Sequence, residues 1–267
     1  MPEAGFATMT VGRDADSREI AVLSRPGAGP GLFWLGGFNS DMAGTKAVAL
    51  DTFAGTRGLA MTRFDYSGHG RSGGRFDEGT ISRWLEEASA VFDRTGGPQI
   101  VIGSSMGGWL ALLLTEAHRA AVGPGASRVA GLVLVAPAVD MTRALMWEGM
   151  SRKARKELTE TGVWRRPSAY AEEPYLITRA LIEDGDRHLF GERLIETGCP
   201  VHILQGVRDT DVPWRHAPAL VSRLASDDVV LTLVKDGDHR LSRPEDIERL
   251  TAAVDGIIAE AAMTADR

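Results

Sequence analysis

Cysteine is almost absent: Cys199 is the single one in 267 residues. An intrachain disulfide is therefore excluded, which fits a reducing compartment. Cys199 sits in ETGCPVHIL, just ahead of a strand-like run, where a cysteine serves as a small buried hydrophobe. No apolar run approaches the roughly 20 residues of a membrane-spanning helix, and no internal repeat or low-complexity linker interrupts the chain. The opening stretch, MPEAGFATMTVGRDAD, lacks both the basic-then-apolar pattern of a secretory leader and the Arg-rich, acid-poor pattern of a transit peptide. The expectation is a cytoplasmic protein. A basic excess is lacking too, since the formal net charge is −6. Nucleic acid as the main partner is excluded on that ground, because phosphate binding needs a basic face.

What is present is the balance of a globular protein, 43% hydrophobic and 25% charged. Strand-like runs begin with FATMTV (6–11) and EIAVLS (19–24), which flank the polar RDADS and predict a hairpin. GLFWLGG (31–37), LAMTRFDY (59–66), QIVIGSS (99–105), VAGLVLVAPA (129–138), VHILQG (201–206) and VVLTLV (229–234) follow. The later runs are apolar almost without alternation, as in parallel strands buried on both faces. Helical spacing of apolar residues occupies 41–55, 79–95, 106–120, 214–225 and 243–262. In the last, Ser242 and Glu245 predict a capping box. Alternating strands and helices imply an α/β protein, a mostly parallel sheet of about eight strands covered by helices on both faces. Residues 140–195 break the alternation. They show no convincing strand and read as short helices inserted as a small cap on a single domain spanning 1–267.

The stretch GSSMG (103–107) matches G-x-S-x-G with Ser105 at its centre, between a strand and a helix. A nucleophile on so sharp a turn needs glycine two places before and after it, where a Cβ would clash. Ser104 lacks that frame, since Ile102 and Met106 stand where its glycines would be. A phosphate loop fits badly: the lysine of G-x-x-x-x-G-K-[ST] is missing. A serine hydroxyl needs a base held by a carboxylate. Among six histidines, His239 in KDGDHRLSRPED lies where the chain order Ser, Asp, His puts the base, and His69 in DYSGHGRSGG is its rival. For the acid, Asp209 in VHILQGVRDTDVPW comes first after the strand, with Asp211 and Asp140 as alternatives. The oxyanion donors expected are the N–H groups of Met106, after the nucleophile, and of Phe38, after Gly36-Gly37. Gly37 and, in the cap, Leu145, Met146, Trp147, Met150, Val163 and Trp164 are candidate substrate-binding residues; the cap residues could instead simply pack the cap onto the body. No metal or organic cofactor is called for by this chemistry.

Taken together, GGFNSDMAGTKA, RFDYSGHGRSGG, GPQIVIGSSMGGWLALLL, GVWRRPSAYAEEPYLITRALIEDG, GVRDTDVPW and DHR resemble the α/β-hydrolase superfamily. Within it they are most similar to the branch of mitochondrial palmitoyl-protein thioesterases that also act as acyl-glucuronide esterases. The resemblance runs from about residue 30 to the end. It implies an α/β-hydrolase fold and Ser105, Asp209 and His239 as nucleophile, acid and base, and it makes the loop around His69 structural. It implies hydrolysis of carboxylic ester or thioester bonds, in a small-molecule or acylated substrate, through an acyl-enzyme. The alternatives are a general carboxylesterase or lipase-like enzyme, an amidase, and a non-catalytic ligand-binding protein on the same fold. The sequence is silent on oligomeric state.

Overall fold

The computed structural model describes residues 5–166, 174–225 and 228–265. Eight strands form one sheet: β1 (Gly5–Val11), β2 (Arg18–Arg25), β3 (Ala28–Leu35), β4 (Leu59–Phe64), β5 (Gln99–Ser104), β6 (Val129–Val135), β9 (Val201–Gly206) and β10 (Val229–Val234). Their spatial order is β1-β2-β4-β3-β5-β6-β9-β10. β1 and β2 pair antiparallel, as does β2 with β4, and every other neighbouring pair is parallel. The topology is that of the α/β-hydrolase fold.

The apolar strands are buried on both faces, and the pleat sends alternate residues to opposite layers. Phe33, Leu35, Val101, Leu132 and Leu134 point into one core, with α2 (Ile81–Phe92), α3 (Met106–Val122) and α6 (His216–Val221). Leu32, Trp34, Ile100, Ile102, Val133 and Val135 point into the other, with α1 (Thr45–Arg57) and α7 (Pro244–Ala265). Gly58 ends α1 in the left-handed conformation, and the Thr80 side chain accepts the Arg83 N–H to start α2. α7 begins differently from the expected capping box. Its first turn closes on the Arg243 carbonyl, and Asp246 rather than Glu245 reaches back to accept the Arg243 N–H at 3.2 Å. Ser242 donates instead to the Arg240 carbonyl.

Between β6 and β9 the chain makes a long excursion. It contains a π-helical stretch (Thr142–Trp147), α4 (Arg152–Thr161), β7 (Val163–Arg166), β8 (Tyr175–Thr178) and α5 (Arg179–Gly185). β7 and β8 pair antiparallel as a separate two-stranded sheet, so the expectation of short helices without strands across 140–195 is corrected. Two four-residue strands are too short to show a period. Gly162, left-handed at the end of α4, turns the chain straight from helix into β7. Residues 167–173 of that stretch lie outside the described residues. Ile177, Leu181, Ile182 and Phe190 bury themselves in the core on the α2–α3 side, which anchors the excursion to the sheet.

Candidate active site

The elbow follows from steric facts. Ser105 sits between β5 and α3 with φ 55° and ψ −118°, a conformation costly for a residue with a Cβ. A Cβ on Gly103 would come within 2.2 Å of the Gly107 carbonyl oxygen, and one on Gly107 within 2.1 Å of the Leu35 oxygen. Backbone crosses backbone there, and only glycine fits. Flanking hydrogen bonds hold the strained residue: its N–H donates to Val135, and its carbonyl accepts from Gly108 and Ala138.

Three side chains far apart in sequence meet at this turn. His239, on the loop after β10, places Nε2 3.1 Å from the Ser105 hydroxyl oxygen. Its Nδ1 lies 2.8 Å from Oδ2 of Asp209, on the loop after β9. A carboxylate at Nδ1 keeps the proton there and leaves the Nε2 lone pair facing the serine hydroxyl. Asp209 is itself locked. Its Oδ1 accepts from the N–H groups of Asp211 and Val212, and its Oδ2 also accepts from the side-chain amide of Gln205 at 3.1 Å. Gln205 was not singled out from the sequence. A glutamine near the end of a mostly apolar strand, VHILQG, is a signal that could have pointed to it.

The alternatives have other partners. Asp140 accepts from the N–H groups of Phe190 and Gly191 and pairs with Arg223. Asp211 reaches Arg166 at 3.4 Å. His69 is buried, with its ring edge-on to Tyr66, Phe76 and Trp84. Its Nδ1 faces the Ser67 carbonyl, and its Nε2 accepts the Asn39 N–H at 3.1 Å. Burial holds its pKa down to about 4, so it is a neutral acceptor that clips the loop carrying Phe38.

Phe38 lies on the loop after β3, beside the elbow. A Cβ on neighbouring Gly37 would stand 3.4 Å from that of Ser105. Met106 is the first residue of α3, where N–H groups have no partner within the helix. Neither N–H donates in the turn and loop hydrogen bonds of the described residues. A cavity of about 280 Å³ opens over Ser105 and His239 and reaches Gly37 and Phe38. Of the cap candidates, Leu145 and Met146 line it, and Trp147, Met150, Val163 and Trp164 do not. Met150 is packed in the core, Trp147 lies under the guanidinium groups of Arg143 and Arg155, and Trp164 packs against the core. Met141 joins Leu145 and Met146 on the apolar wall. Among the described residues, Asp209, Asp211 and His239 are the one grouping with ligand atoms close enough to share a metal ion, and Asp209 and His239 already bond each other.

Fold and site together define a serine hydrolase of the α/β-hydrolase class. The family model described as "Serine aminopeptidase, S33" matches residues 35–179. The bovine mitochondrial palmitoyl-protein thioesterase ABHD10 is 36% identical over 252 residues, covering 90% of this chain and 80% of that protein. Among solved structures, a putative hydrolase from Agrobacterium vitis S4 is 49% identical with a TM-score of 0.92, covering 97% of this chain and all of that one. Mouse alpha/beta hydrolase domain-containing protein 10 is 33% identical with a TM-score of 0.83, over 95% and 98% of the two chains. The chain belongs to the ABHD10 family of α/β hydrolases and is a serine esterase. The curated ABHD10 relatives are mitochondrial by name, which overturns the expectation of a cytoplasmic protein. No helix among the described residues is long and apolar enough to cross a membrane.

Proposed function

We propose that the chain hydrolyses acyl thioesters or acyl esters of the kind carried by S-acylated proteins and acyl glucuronides, through an acyl-enzyme on Ser105. The observation that carries this reading is the hydrogen-bonded chain Ser105–His239–Asp209 opening onto a pocket with an apolar wall. The names of the ABHD10 relatives supply the thioester class.

In this mechanism His239 Nε2 takes the hydroxyl proton as Ser105 Oγ attacks the carbonyl carbon. The N–H groups of Phe38 and Met106 receive the developing oxyanion, each donor contributing roughly 2.7–4 kcal/mol. The intermediate collapses, and the departing alcohol or thiol takes the proton from His239. Water, activated by the same imidazole, then attacks the acyl-enzyme and frees Ser105. Asp209 stabilises the imidazolium and fixes the ring. The excursion between β6 and β9 serves as the cap, and Met141, Leu145 and Met146 receive the acyl chain.

The test is turnover of acyl thioesters, acyl esters and acyl glucuronides by the wild type and by Ser105→Ala. The expected result is hydrolysis by the wild type and a loss on the order of 10⁶-fold in kcat in the variant. Retained turnover in Ser105→Ala sinks the mechanism. Wild-type activity confined to small neutral esters favours the general carboxylesterase.

A further inference from the structure

The walls of the cavity belong to different layers of the fold. Phe38, Met141, Leu145, Met146, Ile177 and Val212 are part of the core on the α2–α3 side of the sheet, or pack against it. Apart from Trp34, the lining from the other layer is mostly polar and comes from the loop before α1, from α1 itself and from the loop before α7, while the cap adds Arg166 and Tyr175. That polar lining includes Ser40, Thr45, Lys46, Arg240 and Ser242. Ser105 and His239 line the same cavity. An acyl group on the apolar side leaves the departing alcohol or thiol on the polar side.

Lys46 is the unusual member of that polar wall. It stands in the first turn of α1, partly buried, and its ammonium donates to the carbonyl of Arg240, the residue after His239. That carbonyl takes one of the three N–H donors an ammonium carries. Among the described residues no carboxylate oxygen lies within 4.0 Å of the Lys46 nitrogen. Of the acids that share the pocket, Asp41 accepts the Ala43 N–H and Asp211 faces Arg166, and neither carboxylate reaches Lys46. The electrostatics agree with an incompletely compensated cation. Burial pushes the Lys46 pKa down to about 8, and repulsion from Arg240 adds to this while Asp238 and Asp246 oppose it. A cation held beside another cation in a substrate pocket, with spare donors, is what an anion site requires.

We propose that the polar wall is a leaving-group subsite for a carboxylate, received by the Lys46 ammonium. The subsite rests on the acyl-transfer reading and narrows it. The preferred substrates are acyl esters or thioesters whose departing alcohol or thiol carries a negative charge.

Three butyryl thioesters that differ in the charge of the thiol test this: mercaptopropionate, mercaptoethanol and thiocholine. Intrinsic reactivity differs among them, but it cancels when the ratio of kcat/KM values in a variant is divided by that in the wild type. Lys46→Met should lower the mercaptopropionate-to-mercaptoethanol ratio about ten-fold, as expected for losing a charge-assisted hydrogen bond. It should raise the thiocholine-to-mercaptoethanol ratio, and Lys46→Arg should keep most of the preference. A ratio unchanged in Lys46→Met overturns the subsite while leaving the acyl-transfer reading intact. Should that variant fail to fold, product inhibition of the wild type decides: mercaptopropionate must inhibit more strongly than mercaptoethanol, and equal inhibition overturns the subsite. A wild type that hydrolyses none of the three overturns both readings.

Discussion

At the scale of single residues, Ser105, the proposed nucleophile, was the most legible part of the site. Its frame is a local steric requirement written within five positions, Gly103 to Gly107. The base and acid were harder to read, because their partners meet only in three dimensions. In RDTD only its place first after the strand favours Asp209 over Asp211, and Asp209 is the one with an oxygen on the His239 ring. His69 shows the reverse case, a histidine in a suggestive loop whose two nitrogens are both engaged by backbone. Its folded pKa, about 4, lies below the ordinary 6.5. The neutral ring therefore contributes stability that is fully present above pH 6.5 and is lost as the pH falls toward 4. His69→Gln should remove that dependence. Thermal or urea unfolding should show the stability gap between wild type and variant shrinking by about 2–3 kcal/mol from about pH 7 to about pH 4.5. A gap that stays constant or widens on acidification would contradict the neutral assignment.

At the scale of elements, all eight strands of the main sheet were readable as apolar runs, and the five helices between and after them as periodic patterns. The hairpin of β7 and β8 was not readable, since four residues per strand cannot establish alternation and the segment between them lies outside the described residues. The attachment of the excursion was equally hidden, because alongside buried apolar residues it uses a polar knot between distant segments. Asp184, at the end of α5, accepts from both the N–H and the hydroxyl of Ser82 in the first turn of α2. His188 Nε2 lies 2.7 Å from the same hydroxyl, and Arg187 pairs with the carboxylate. The Asp184 side chain is only 5% exposed, so its loss strands buried donors. Asp184→Ala should cost about 2 kcal/mol and should speed limited proteolysis within 140–195. Melting temperature and the cleavage pattern together check this. A variant as stable and as resistant as the wild type would show that apolar packing alone holds the excursion.

At the scale of the whole molecule, the sequence conveyed the layers but not the strand order. Order depends on which crossovers pass over which neighbours, and no local pattern encodes that. The order matters because it brings the loops after β3, β5, β9 and β10 to one end of the sheet around a cavity of about 280 Å³. That volume is at the small end for ligand pockets. Each methylene buried is worth about 0.8 kcal/mol, or roughly four-fold. In a series of linear acyl thioesters, kcat/KM should climb with chain length while the chain fills the cavity and then level off once it projects into solvent. A series with no early climb would place the acyl chain elsewhere. The same architecture concentrates backbone strain at Ser105, whose φ of 55° the crossed glycines forbid it to relax. Reactivity and conformational stability are thus set against each other at one position. A serine free to settle into ordinary backbone would strengthen the fold and turn its hydroxyl away from the imidazole, so this chain must trade some stability to keep its nucleophile presented.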